Sequence, residues 1–210
     1  MRGIIVSSGN LDIKILNNIK LDSDMIICAD GGTRHLYNAN ITPDIIVGDF
    51  DSLDHKILDY YEEKKVPIYK FPTDKDKTDT EIAIDFALEK GIDEIILLGA
   101  TGCRLDHTMG NIMILYRLLK ENIKAKIIDS NNEICVVDDT LELEKENYTY
   151  ASIMPMFGDI KEVTLKGFKY ETDKIEFKLG TSLGVSNEIE DRKGKINVNG
   201  GTCLVIKSRD

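Results

Sequence analysis

The chain has 210 residues, enough for one large domain or two small ones with workable cores. Its 27 Lys plus Arg against 37 Asp plus Glu leave a formal net charge of -10, which argues against a nucleic-acid binder, since such proteins need a basic face. No apolar run approaches the roughly 18 residues that span a bilayer. The opening MRGIIVSSGN lacks the pattern of a secretory signal. Cys28, Cys103, Cys135 and Cys203 form no CxxC pair, so reduced, mostly buried thiols in a cytoplasmic protein are expected.

In chain order, strand-like runs are expected at 3–8, 25–30, 44–50, 66–71, 94–100 and 125–130. Several are apolar almost throughout, as strands covered on both faces are. Helical spacing lies between them, at 80–90 (TEIAIDFALEK) and 107–122 (HTMGNIMILYRLLKEN). The alternation predicts an α/β N-terminal domain over residues 1–130, a mainly parallel sheet flanked by helices. Ligands of such sheets sit beyond the carboxyl ends of the strands. From residue 131 the helical spacing stops. Short runs from EICVVD (133–138) to TCLVIKS (202–208), punctuated by turn residues, predict an all-β, sandwich-like C-terminal domain over 131–210.

Acids cluster at the ends of the first-half runs. Asp30 precedes two glycines; Asp49 and Asp51 follow a β run; Asp74, Asp76 and Asp79 precede a helix; and Arg104, Asp106 and His107 follow GATGC. Two carboxylates at i and i+2 on an extended segment project the same way and can share a hard cation. Magnesium takes a few carboxylates, several waters and phosphate oxygens, and Asp79 is the best-placed third ligand. Gly99 and Gly102 let backbone approach a phosphate, and the Arg104 fork can hold its oxygens. Bland roles compete. Asp after a strand also serves as a turn former, and Thr78-Asp79-Thr80-Glu81 matches a capping box. His35 and His55 read as surface or helix residues. No P-loop, GxGxxG or HExxH occurs. DFDS also resembles the start of haloacid-dehalogenase-type phosphatases, with Asp49 as the nucleophile.

Taken in order, CADGG (28–32), PDIIVGDFDS (43–52), DKDKTDTE (74–81), GATGCRLDHTMGN (99–111), GFKY (167–170) and SLGVSN (182–187) resemble the thiamine pyrophosphokinase family. The resemblance implies an ATP:thiamine diphosphotransferase, an α/β domain followed by a β-sandwich, and a homodimer with thiamine between subunits. It implies Mg²⁺ on Asp49, Asp51 and Asp79, with Arg104 and Asp106 as active-site residues near the phosphates. Asp30, Gly99, Thr101, Gly102, Arg104, His107 and Asn111 are then expected to face ATP, and Tyr170, Ser186 and Asn187 to face thiamine. Two departures stand out: some members carry Trp where Tyr170 stands, and Gly184-Val185 precedes Ser186 where some have a further Ser. The alternatives are a pyrophosphokinase for another hydroxymethyl compound such as a pterin, a phosphatase, and a non-catalytic Mg-nucleotide sensor.

Overall fold

A computed structural model describes residues 1–51, 53–72 and 76–210. The chain divides into two compact units, Met1–Ser130 and Asn131–Asp210. Among the described residues, no helix is long and apolar enough to cross a membrane.

The first unit runs β1 (Arg2–Val6), α1 (Ile13–Ile19), β2 (Met25–Ala29), a 3-10 turn (Asp30–Gly32), α2 (Thr33–Asn38), β3 (Ile45–Gly48), α3 (His55–Glu63), β4 (Ile68–Lys70), α4 (Asp79–Glu89), β5 (Glu94–Leu98), α5 (Leu105–Lys120) and β6 (Lys124–Ile128). Its strands are parallel, in the order β4-β3-β2-β1-β5-β6. The order reverses between β1 and β5, so a crevice is expected where those two strands end. Side chains alternate along each strand. Ile4, Val6, Ile26, Cys28 and Ile46 therefore pack on one face with Leu16 of α1, Leu36 of α2 and Tyr61 of α3. On the other face α4 crosses β1, β2 and β3 and buries Ala83, Ile84 and Ala87. Each fully buried aliphatic side chain contributes about 1.5–3 kcal/mol.

Several elements are shorter or shifted relative to the sequence pattern, for local reasons. The run at 44–50 leaves the sheet after Gly48, because Phe50 takes a left-handed φ of 62° and turns its ring into the core. The run at 66–71 keeps only Ile68–Lys70 as strand. α4 starts at Asp79 because Thr78 is its N-cap, its hydroxyl accepting the Glu81 amide at 3.2 Å. The helix expected at 107–122 occupies Leu105–Lys120 and stops before Asn122, whose φ of 59° is an ordinary left-handed helix end.

The second unit holds β7 (Asn132–Val137), β8 (Thr140–Glu144), β9 (Tyr150–Met156), β10 (Ile160–Lys166), β11 (Thr172–Phe177), β12 (Lys193–Asn199) and β13 (Thr202–Ser208). They pair antiparallel as β7-β13-β9 and as β11-β10-β12-β8. Inward residues of both groups share one core, with Ile153, Val205 and Cys203 meeting Val163, Phe177 and Ile196. This is the sandwich that the alternating runs called for.

Candidate active site

The carboxyl edge of the parallel sheet is built by loops that bond to one another past the strand ends. The amides of Ser7, Gly9 and Asn10 donate to the carbonyls of Leu98, Gly99 and Thr101 at 2.8, 2.7 and 2.8 Å. Gly99 has a φ of 63°, and a Cβ there would lie 2.3 Å from the Ser7 carbonyl oxygen. Its close backbone approach is to Ser7, just past the end of β1. His35, in α2, donates from Nε2 to the Gly9 carbonyl at 2.8 Å and joins a third loop to the pair.

Three acids from three loops meet at this edge. Asp30 follows β2 with a φ of 35°, and its Oδ1 is buried without a hydrogen-bond partner among the described residues. Burial pushes its carboxyl above the ordinary range, and the charges of Asp79 and then Asp49 push it further, against the pull of the Gly31 and Phe50 amides. The Ser7 and Thr80 hydroxyls lie 2.9 Å apart, which fastens the first turn of α4, and Asp79 with it, to the end of β1. The expected pairing of Asp49 with Asp51 along an extended segment is corrected. Phe50 breaks the strand geometry between them, and Asp49 Oδ1 accepts the Asp51 amide at 3.2 Å. Among the described residues no group of three or more His, Cys, Asp or Glu side chains is placed to hold a metal ion as it stands. The orphaned Asp30 oxygen and the mutual repulsion of the acids nevertheless fit a hard cation that takes its remaining ligands from water and phosphate. Asp74 and Ser52, which belong to the quoted motifs, lie outside the described residues.

The GATGCRLDHTMGN stretch is staked from within. Thr101 donates to Asp129 at 2.9 Å, buried Asn111 donates to the Ala100 carbonyl at 2.7 Å, and the Gly102 amide donates to the Thr108 hydroxyl at 3.2 Å. The side chains of Thr101 and Asn111, expected to face ATP, are thus engaged in holding the loop. Arg104 stands at the N-cap of α5 and grips Asp106 with both arms of its fork, Nε at 3.2 Å and Nη2 at 2.5 Å. The Arg104 bond holds the Asp106 carboxyl down at about 2. Both side chains are exposed, as is His107 in the first turn of the same helix.

In the β unit the GFKY and SLGVSN segments meet. Asn187 is only 3 % exposed, and its amide is used by backbone. Oδ1 accepts the Tyr170 and Glu188 amides at 3.0 and 2.9 Å, and Nδ2 donates to the Tyr170 carbonyl at 2.9 Å. Asn187 is therefore a clamp on the Tyr170 backbone, while the Tyr170 side chain stands 64 % exposed. Ser186 has a φ of 57°, and its amide donates to Ser152 at 3.0 Å. Gly184 is needed for space, since a Cβ there would lie 2.0 Å from the Ile153 carbonyl oxygen. The sequence pattern singled out the two segments but not their contact.

Comparison with known proteins bears on both units. A family model described as thiamin pyrophosphokinase, catalytic domain, matches residues 16–127, and one described as thiamin pyrophosphokinase, vitamin B1 binding domain, matches residues 139–203. The chain is 39% identical over 186 residues to thiamine pyrophosphokinase of Bacillus subtilis (strain 168), which spans 88% of this chain and 87% of that one. The crystal structure of thiamine pyrophosphokinase from Bacillus subtilis matches with a TM-score of 0.92 at 34% identity, covering 100% of both chains. That of thiamin pyrophosphokinase from Geobacillus thermodenitrificans matches with a TM-score of 0.89 at 31% identity, over 100% of this chain and 98% of the other.

Proposed function

The chain belongs to the thiamin pyrophosphokinase family, and we propose the course of the reaction that this membership brings to it. The thiamine hydroxyl attacks the β-phosphorus of ATP, the bond from that phosphorus to the bridging oxygen of the α-phosphate breaks, and AMP leaves with the bonding electrons. The hydroxyl proton passes to an aspartate or to a phosphate oxygen. Such transfers need alignment and neutralisation of charge more than covalent chemistry.

The observation that carries this reading is the acid cluster around Asp30, whose buried oxygen lacks a partner while Asp79 and Asp49 repel it. Asp49, Asp51 and Asp79 are the proposed ligands of Mg²⁺, with the orphaned Asp30 oxygen beside them. Bound there, the ion would supply positive charge among these acids and beside the phosphates. Arg104 adds a guanidinium, held in orientation by Asp106, with further N–H donors left for phosphate oxygens. Residues 1–130 are assigned the nucleotide and residues 131–210 the thiamine, whose cationic ring suits the exposed face of Tyr170.

The working form is a homodimer in the cytoplasm. Exposed Leu105, Met109 and Met113, one turn apart along α5, support an interface, and the exposed free thiol of Cys103 suits a reducing compartment. A phosphorus NMR time course with ATP, Mg²⁺ and thiamine tests the reaction. Thiamine-dependent AMP and a new diphosphate ester are expected. ADP, free phosphate, or AMP formed without thiamine would overturn it.

A further inference from the structure

Helices α4 and α5 are joined by a guanidinium. Arg117, in the last turn of α5, donates from Nη1 to Glu81 Oε1 at 3.2 Å and from Nη2 to Asp85 Oδ1 at 2.9 Å, both on α4. Its Nε, buried and without a hydrogen-bond partner among the described residues, lies 3.9 Å from Glu121. Lys77, just before α4, donates to the other oxygen of Asp85 at 2.6 Å. Glu81 and Asp85 stand four apart on the helix and would repel each other without the cation between them. Arg117, Glu81 and Asp85 are all partly buried, so salt screens their bonds less than those of a surface pair.

Glu81 belongs to the first turn of α4, which begins with Asp79. Two residues along a helix are about 200° apart around its axis, so Glu81 and Asp79 point to opposite sides. Their partners agree with this. Glu81 faces α5, whereas the charge of Asp79 reaches Asp30 and raises its carboxyl. Between them in sequence, the Thr80 hydroxyl meets that of Ser7 at 2.9 Å, just past the end of β1. A neutral bond and a charged grip from different directions thus fix how the turn is rotated, and with it the aim of the Asp79 carboxylate.

We propose that Arg117 is a positioning residue for the diphosphate transfer: through Glu81 and Asp85 it sets the rotation of the first turn of α4, and so the place of Asp79 among the acids. It acts through α4 and not on the reacting atoms. The inference rests on Asp79 being a ligand of the metal, and its test separates the two.

Arg117→Met keeps the length of the stem and removes both bonds. In the full-length protein, amide exchange should quicken at Glu81 and Ile82, which bond Thr78 in the wild type. The Mg²⁺ concentration needed for a given rise in melting temperature should increase about tenfold, and kcat should fall by a similar factor, while the KM for thiamine stays as it is. Arg117→Lys keeps the charge but not the fork, and should move each readout the same way by less; it decides the matter if Arg117→Met does not fold. Glu81→Ala should act in the same direction, and adding it to Arg117→Met should cost nothing more, since the bond is already gone. Additive effects, or a lower melting temperature with normal kcat and a normal Mg²⁺ response, would overturn the proposal. If Asp79→Asn leaves the Mg²⁺ response unchanged while Arg117→Met still quickens exchange at 81–82 and lowers kcat, the brace stands and the metal role of Asp79 falls.

Discussion

Strand β2 is flanked by two aspartates that the fold treats in opposite ways. Asp24, just before the strand, has a fully buried side chain gripped by Arg2, Nε to Oδ1 at 2.9 Å and Nη2 to Oδ2 at 2.6 Å. It also accepts the Leu21 amide at 2.7 Å. The Arg2 bond, chiefly, holds the Asp24 carboxyl below the ordinary range. Asp30, just after the strand, has no such cation among the described residues, and burial with Asp79 and Asp49 pushes it the other way. One end of the sheet satisfies its acid from within, and the other keeps a buried acid oxygen without a partner among the described residues. That asymmetry supports the proposed placing of the chemistry at the carboxyl end.

Substitutions can break or sharpen the contrast. The largest effect is expected at the unsatisfied end: Asp49→Asn should lower kcat by about a hundredfold or more with the fold intact. Steady-state turnover checks it, and a wild-type kcat would remove Asp49 from the site. At the satisfied end, Asp24→Ala leaves the half-buried Arg2 without its carboxylate and with only the Ile19 carbonyl bond, and denaturant unfolding should show a loss of about 3 kcal/mol. The stabilisation from Asp24 is present above its unfolded value of 3.8 and is lost as pH falls through its lower folded value.

Smaller effects belong to exposed groups. Arg104→Lys keeps the charge but not the fork, so turnover should fall about tenfold, and NMR titration should find the Asp106 carboxyl risen from about 2. Tyr170→Ala should mainly raise the KM for thiamine, by up to about thirtyfold for a cation–π contact near 2 kcal/mol. Asn187→Ala should follow it in the same direction, because Asn187 holds both backbone groups of Tyr170. An unchanged KM for thiamine in either variant would remove Tyr170 from that role.

The α/β and β-sandwich classes were legible because burial imposes its period directly: continuous apolar runs for strands covered on both faces, alternating runs for the sandwich. The acids at the strand ends were legible too, since parallel connectivity sends every such loop to one edge. What the spacing could not carry was local backbone geometry. A left-handed Phe50 is invisible in DFDS, so the i, i+2 argument for Asp49 and Asp51 used a strand that ends at Gly48. Thr101, Asn111 and Asn187 are polar residues within ligand-like motifs, yet their hydrogen bonds go to Asp129, Ala100 and Tyr170 across gaps of 28, 11 and 17 residues. Asp30 was placed in the cleft, but its lack of a partner shows only once burial is known.

The most direct test is the melting temperature of wild type and Asp30→Asn, each with and without Mg²⁺. Because the folded carboxyl of Asp30 is raised, its ionised form weakens the metal-free fold at neutral pH. That penalty shrinks as pH falls through the folded value and vanishes below the unfolded 3.8. Without metal, Asp30→Asn should therefore melt above wild type at neutral pH, with the gap closing in acid. Mg²⁺ should raise the wild type more than the variant, since binding to the native state stabilises by mass action. A variant that melts at or below wild type without metal, or an equal response of both to Mg²⁺, would contradict the view that this edge holds its acids apart for a cation.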